Sequence, residues 1–182
     1  MKKYQIIYAD PPWKYRDTAE FKKFRPHGFG ADFHYKTLTT QEICQIWIPK
    51  EKDSILFLWV TVPFLEDGFK VLNSWGFKYK TALFWDKVTI GTGHYFRGQI
   101  EVCLIGISGK IRAFHTQLRN LIVCKKSKHS KKPDIFYSII DKLGYSRKLE
   151  LFARQKTEGW DVWGNEVESD IDLKIAIQQN KE

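Results

Sequence analysis

Cysteine is scarce and unpatterned: Cys44, Cys103 and Cys124 stand far apart. Neither a disulfide framework nor a metal-ligand spacing emerges, so no metal site is expected and the thiols read as reduced residues. Long apolar runs are missing too. No stretch is long enough to cross a bilayer, and Met1-Lys2-Lys3-Tyr4 passes straight into a strand-like segment without the apolar core of a secretory signal. A soluble, cytoplasmic chain with no membrane partner is the expectation. There is no internal repeat and no low-complexity tract. Negative charge is also in short supply. Thirty Lys+Arg outnumber 21 Asp+Glu, and the formal net charge of +9 favours a polyanionic partner.

What is present suits one compact α/β domain. At 182 residues, roughly 70% of the unfolded surface is expected to be buried on folding. Apolar residues make up 43% and aromatics 15%, which excludes a disordered chain. Seven tryptophans are unusual in so short a chain; most are expected in the core, but flat aromatic faces also suit the handling of a base.

Short apolar runs alternate with helical patterns, the rhythm of a mainly parallel sheet flanked by helices. Strands are predicted at Gln5–Ala9, Ile55–Val60, Thr81–Trp85, Val102–Ile107, Leu121–Val123 and Lys148–Phe152, with Trp160–Trp163 as a further candidate. A short helix is predicted after Leu38. A second begins near Pro63, aligns Leu65, Phe69 and Leu72 on one face and stops at Gly76. A third follows Pro133, with Phe136, Ile139, Ile140 and Leu143 on one face and Gly144 closing it. Two segments break the rhythm and read as functional loops: 14–36, and 87–99 with Gly91, Gly93 and Gly98 around Tyr95 and Arg97. The domain is expected over residues 1–166, and 167–182 as a charged tail with a surface helix at Val167–Gln179.

The sharpest chemical feature is Asp10-Pro11-Pro12-Trp13, directly after the first strand. A strand's carboxyl end is where open α/β sheets place their ligand crevice. Two prolines fix φ and remove two donors, so their carbonyls are expected to face the crevice without competing amides. An aromatic exocyclic amine is a poor nucleophile because its lone pair is delocalised into the ring. The Asp10 carboxylate and the Pro11 carbonyl can hold its two N–H groups and free that lone pair. Trp13, or another aromatic nearby, can stack on the base. Lys132 stands before Pro133 at a helix start, where backbone amides favour an anion such as a cofactor carboxylate. Glu150, Arg154 and Asn165, at the end of the Lys148–Phe152 strand and just beyond it, can supply the few polar contacts a nucleoside cofactor requires. Read alone, a solvated helix start and a salt-bridged strand end remain open for these two groups, as does an acidic turn capped by prolines for Asp10–Trp13.

Taken in order, D-P-P-W, L-F-L-W-V at Leu56–Val60, S-W-G-F at Ser74–Phe77, G-T-G-H-Y-F-R at Gly91–Arg97, Glu101, S-K-K-P-D, E-L-F-A-R and W-G-N-E resemble the MT-A family. These N6-adenine methyltransferases are named after the 70-kilodalton subunit of the mRNA adenosine methyltransferase. The likeness covers roughly residues 4–166 and is strongest to the short bacterial and phage members. It implies a Rossmann-like S-adenosylmethionine-dependent methyltransferase fold, with the catalytic motif preceding the cofactor strand. It makes Asp10, Pro11, Pro12 and Trp13 the catalytic tetrad. Asp10, Lys132, Glu150, Arg154, Asn165 and Glu166 become the cofactor-binding residues. The loops 14–36 and 87–99 correspond to mobile loops beside the target adenine. One departure is the turn after the cofactor strand, Phe152-Ala153-Arg154, which lacks the glycines many methyltransferases carry there.

The implied reaction is in-line methyl transfer from the sulfonium to the N6 amine of adenine, on a base flipped out or single-stranded. Two basic stretches are candidates for the nucleic-acid backbone: Lys14, Arg16, Lys22, Lys23 and Arg25, then Arg119, Lys125, Lys126, Lys128 and Lys131. Tyr95 and Arg97 join them from the glycine-containing loop. DNA is preferred because the likeness is to short microbial members; RNA adenosine, a catalytically silent nucleic-acid-binding subunit and a small-molecule amine remain alternatives. With no room for a recognition domain, low sequence specificity is expected. Relatives often pair, which adds a homodimer through the loop around Gly91–Arg97.

Overall fold

The computed structural model describes residues 2–15, 37–93, 95–114, 117–125 and 132–173. Seven strands form one sheet: β1 Tyr4–Ala9, β2 Lys50–Thr61, β3 Lys78–Asp86, β4 Ile100–Ser108, β5 Leu121–Val123, β6 Lys148–Leu151 and β7 Asp161–Trp163. Their spatial order is β5-β3-β4-β2-β1-β6-β7. The β1–β2, β1–β6, β3–β5 and β6–β7 pairings are parallel, while β4 is antiparallel to both β2 and β3. Six strands therefore end at one edge of the sheet, and β4 begins there. The mixed, mostly parallel architecture agrees with the Rossmann-like expectation, and every predicted strand is present.

The central strands are buried on both faces, and β2 is enclosed from Ser54 to Val60. That double burial is why they read as continuous apolar runs rather than alternating ones. One face carries Ile7, Leu56, Leu58, Val60, Val102, Leu104 and Leu149. It packs against helices α1 (Thr40–Cys44) and α2 (Leu65–Ser74), the latter entered through a 3₁₀ turn at Val62–Phe64. The other face carries Ile6, Tyr8, Phe57, Trp59, Trp85 and Cys103 against Phe136 and Ile140 of α3 (Ile135–Asp141).

Three helix boundaries have a local cause. Thr39 and Glu42 close a capping box on α1, the Thr39 side chain accepting from the Glu42 N–H and the Glu42 carboxylate from the Thr39 N–H. After α2 and α3 the chain turns at Gly76 and Gly144, both left-handed. Within α2, a Cβ on Gly68 would lie 2.5 Å from Val60 Cγ1, so only glycine lets the helix sit this close to the sheet.

The tail departs from expectation over its described part. Residues 167–173 form no helix; Leu173 is buried and Ile171 packs against the core. The Asp170 carboxylate accepts from the Val162 N–H. The packed chain thus continues past residue 166, and the rest of the predicted helix lies outside the described residues. Among the described residues no helix is long and apolar enough to cross a membrane.

Candidate active site

Asp10 leaves the carboxyl end of β1, and the turn behind it is pinned on three sides. The Pro12 carbonyl accepts from the Leu38 N–H at 2.8 Å, and the Lys14 N–H donates to the Leu38 carbonyl at 3.0 Å. The Trp13 indole N–H donates to the Trp59 carbonyl at 3.1 Å, and its ring stacks on Phe64 with centroids 5.5 Å apart. Trp13 is only 5% exposed, so its ring fixes the turn instead of offering a free face to a base. The prolines also correct one expectation. The Pro11 carbonyl does meet a competing amide: it accepts from the Trp13 N–H at 2.9 Å, which leaves one lone pair for a ligand.

Beside the turn lies a line of alternating charges. The Lys132 ammonium is 2.5 Å from Asp10 Oδ2 and 3.3 Å from Glu101 Oε2. Lys87 meets the other oxygen of Glu101 at 3.1 Å. Lys132 also lies 5.2 Å from the centre of the Trp59 ring, a cation–π contact. These groups come from four places that the topology gathers at one edge: the ends of β1 and β3, the start of β4 and the approach to α3. Burial raises the Asp10 carboxyl against the opposing pull of Lys132. Burial alone would lower Lys132, but Asp10 and Glu101 outweigh it and hold it charged. Glu101 is lowered because Lys132 and Lys87 together overcome its burial.

The second group surrounds β6 and β7. Glu150 sits on β6 opposite Tyr8, buried, with the Tyr137 hydroxyl donating to Oε1 at 2.9 Å. Its Oε2 is buried and has no hydrogen-bond partner among the described residues. Burial pushes this carboxyl up to about 7, with Tyr137 opposing and Asp10 reinforcing. One turn further on, Arg154 reaches Glu166 at 3.6 Å, and Asn165 is exposed next to Glu166. The structure thus gathers Glu150, Arg154, Asn165 and Glu166 at the ends of two neighbouring strands. Phe152 takes φ +63° where many methyltransferases use glycine. Just after β7, a Cβ at Gly164 would collide with the Ala153 carbonyl, so glycine there lets the two strand ends lie close together.

The donor set fits S-adenosylmethionine on the strength of the Glu150 oxygen. An enclosed acceptor lacking a donor suits an ammonium or hydroxyl group. Lys132 and Arg154 offer positive charge for a carboxylate, and Asn165 and Glu166 offer polar contacts for a nucleoside.

The nucleic-acid candidates are only partly described. Lys14, Arg119 and Lys125 are exposed, and Lys14 and Lys125 leave the sheet at the same edge as Asp10. Tyr95 is 96% and Phe96 92% exposed, on the loop joining β3 to β4 at that edge. Arg97 does not point freely from it; its Nε donates to the Gly91 carbonyl at 2.6 Å. Arg16, Lys22, Lys23, Arg25, Lys126, Lys128 and Lys131 lie outside the described residues.

Sequence reasoning gives no role to Lys87, Glu101, Tyr137 or Trp59. Glu101 stands in the motif order, and Tyr137 lies on the predicted third helix, one residue after Phe136. Nothing in the local sequence separates Lys87 from the other lysines. Among the described residues no three His, Cys, Asp or Glu side chains gather as a metal would need.

The pattern that defines the MT-A70 family matches residues 4–166. A Mycoplasma sp protein called Type II methyltransferase M.MunI is 37% identical over 205 residues, covering 99% of this chain and 86% of that protein. The human N(6)-adenosine-methyltransferase catalytic subunit METTL3 is 32% identical over 179 residues, covering 91% of this chain and 28% of its own length. The N(6)-adenosine-methyltransferase MT-A70-like protein of Arabidopsis thaliana is 31% identical over 173 residues, covering 89% of this chain and 23% of its own.

Proposed function

Because the chain belongs to the MT-A70 family of methyltransferases, we propose that it transfers a methyl group from S-adenosylmethionine to the N6 amine of adenine in DNA. The observation that carries this reading is Asp10, at the carboxyl end of β1, with Oδ2 held by Lys132 at 2.5 Å. Oδ1 is then the oxygen that meets the amine. Asp10 Oδ1 and the remaining lone pair of the Pro11 carbonyl are two acceptors on one turn, the number an exocyclic NH₂ presents. Accepting both hydrogens draws the nitrogen lone pair out of conjugation.

S-adenosylmethionine, when bound, supplies a methyl group activated by its sulfonium. Transfer of that methyl, with the bond to sulfur breaking and the thioether as leaving group, would give the amine nitrogen a fourth bond, so one of its protons would have to leave. Asp10 is the acceptor, and burial, which raises its affinity for a proton, suits it to the task. Lys132 offsets the carboxylate's charge before that step and offers the cofactor carboxylate a cation. Glu150, Arg154, Asn165 and Glu166 hold the rest of the cofactor. Trp13, packed on Phe64, keeps the turn in register.

DNA is favoured because the relative of similar length bears a type II methyltransferase name, whereas the relatives named for N(6)-adenosine are far longer than this chain. The test is labelled methyl transfer to matched single-stranded DNA, duplex DNA and RNA oligonucleotides carrying one adenine or none. Adenine-dependent labelling of DNA above RNA supports the reading. Labelling of RNA alone moves the substrate to RNA, and labelling independent of adenine overturns the assignment.

A further inference from the structure

We propose that Lys87 is a positioning residue for methyl transfer, holding Glu101 so that Lys132 stays on Asp10. This rests on the assignment of Asp10 as the group that meets the target amine. Glu101 divides its two oxygens: Oε1 belongs to Lys87 at 3.1 Å and Oε2 to Lys132 at 3.3 Å. Lys132 in turn divides itself between Glu101 and the shorter contact to Asp10 at 2.5 Å. The four side chains keep only 10–27% of their surface exposed, so each charge depends on its neighbours rather than on water. Without Lys87, both Glu101 oxygens compete for the one remaining ammonium. Lys132 then shifts from Asp10 toward Glu101, and Asp10 loses the cation that fixes its Oδ2.

A second observation is independent of the ion pairs. The backbone just after Lys87 is held in a costly shape. Val88 has φ +62°, a left-handed conformation that a β-branched side chain resists. Asp86 Oδ1 maintains it by accepting from the Val88 N–H at 2.7 Å and the Gln99 amide at 2.8 Å. The Lys87 N–H donates to the Gln99 carbonyl at 3.0 Å. The turn therefore fixes where Lys87 leaves the chain, directly across from the start of β4. An exposed lysine needing only to attract a polyanion would require no such turn. The other ionisable groups acting on Asp10 or near it are Arg154 after β6, Glu150 on β6, Cys103 on β4, Tyr8 on β1 and Tyr137 on α3. Lys87 acts through Glu101 instead.

The test uses Lys87→Gln and Lys87→Arg in the full chain, with two readouts. Carbon-13 titration of the Asp10 and Glu101 carboxyls is followed in the protein alone. The pH profile of kcat is measured on an adenine oligonucleotide. Lys87→Gln should move the Glu101 titration and the acid limb of kcat to higher pH. It should lower kcat roughly tenfold or more at neutral pH while leaving KM for the oligonucleotide within about twofold, and Lys87→Arg should restore both readouts. Carboxyl titrations in Lys87→Gln that superimpose on wild type would overturn the proposal. So would a loss confined to KM, which would make Lys87 a backbone-phosphate contact. If the wild-type protein methylates no adenine, the function proposed above fails, and the titrations still decide whether Lys87 governs the network.

Discussion

Replacing Glu150 with glutamine changes how stability depends on pH, and the size of the change follows from the geometry. Glu150 is 8% exposed, with one oxygen satisfied by Tyr137 and the other without a donor among the described residues. Burial pushes its carboxyl up to about 7 from an ordinary 4.5. The folded state therefore holds the proton more tightly than the unfolded chain. The group's contribution to stability is fully present below about pH 4.5 and is lost as pH rises through about 7. For these two values the loss between about pH 5 and about pH 8 is about 2.5 kcal/mol. Glutamine cannot ionise, so Glu150→Gln should lack this slope. It carries its own cost, because its buried NH₂ lacks an acceptor, but that cost is the same at both pH values. Urea unfolding at the two pH values isolates the ionisation. The variant should gain about 2.5 kcal/mol on the wild type between them, equivalent to roughly 5–10 °C in Tm for a chain of this size. A wild-type-to-variant difference that stays constant within about 0.5 kcal/mol would show that Glu150 does not carry a raised pKa, and the fit to the cofactor would lose its main support.

Wild-type affinity for S-adenosylmethionine should rise with pH through about 7 as Glu150 ionises, a trend that calorimetry should find flat in Glu150→Gln. Gly164→Ala forces a methyl group into the Ala153 carbonyl and should cost about 1–3 kcal/mol in urea unfolding; a neutral result would mean that the β6–β7 ends are loosely packed. Thr39→Ala removes the side-chain cap of α1 and should cost about 1 kcal/mol with kcat unchanged. The double change Tyr95→Ala with Phe96→Ala removes two almost fully exposed rings. It should weaken single-stranded oligonucleotide binding about tenfold or more, with cofactor affinity intact; unchanged binding would remove that loop from the nucleic-acid path.

Much of the fold is legible in the sequence because its signals are local. Doubly buried strands announce themselves as apolar runs, and Gly76 and Gly144 stop their helices where the apolar pattern ends. The short helix after Leu38 carries a plain signature in the Thr39–Glu42 spacing that its weak apolar pattern obscures. Other features are not local and are not legible. The reversed direction of β4 depends on a long loop between it and β3 whose sequence does not specify a hairpin. The buried Leu173 looks like tail because its neighbours are charged. In the site, the motif Asp10–Trp13 reads as a unit because its residues are consecutive. The charge network does not, since Lys132 stands 122 residues from Asp10 and Lys87 and Glu101 arrive on two further elements. Trp13 reads from sequence as one of the aromatics able to stack on the base, but an aromatic beside a catalytic turn can equally be the turn's anchor. Only Phe64 and the Trp59 carbonyl decide which.

The most direct test is mass-spectrometric mapping of the transferred methyl group on an adenine-containing DNA oligonucleotide, for wild type and Asp10→Asn side by side. Wild type should yield N6-methyladenine and no other methylated base. Asp10→Asn should lose it by about 100-fold or more while still binding S-adenosylmethionine. Methylation at another position, or an Asp10→Asn enzyme that retains wild-type activity, would contradict the role of Asp10 as the acceptor that meets the target amine.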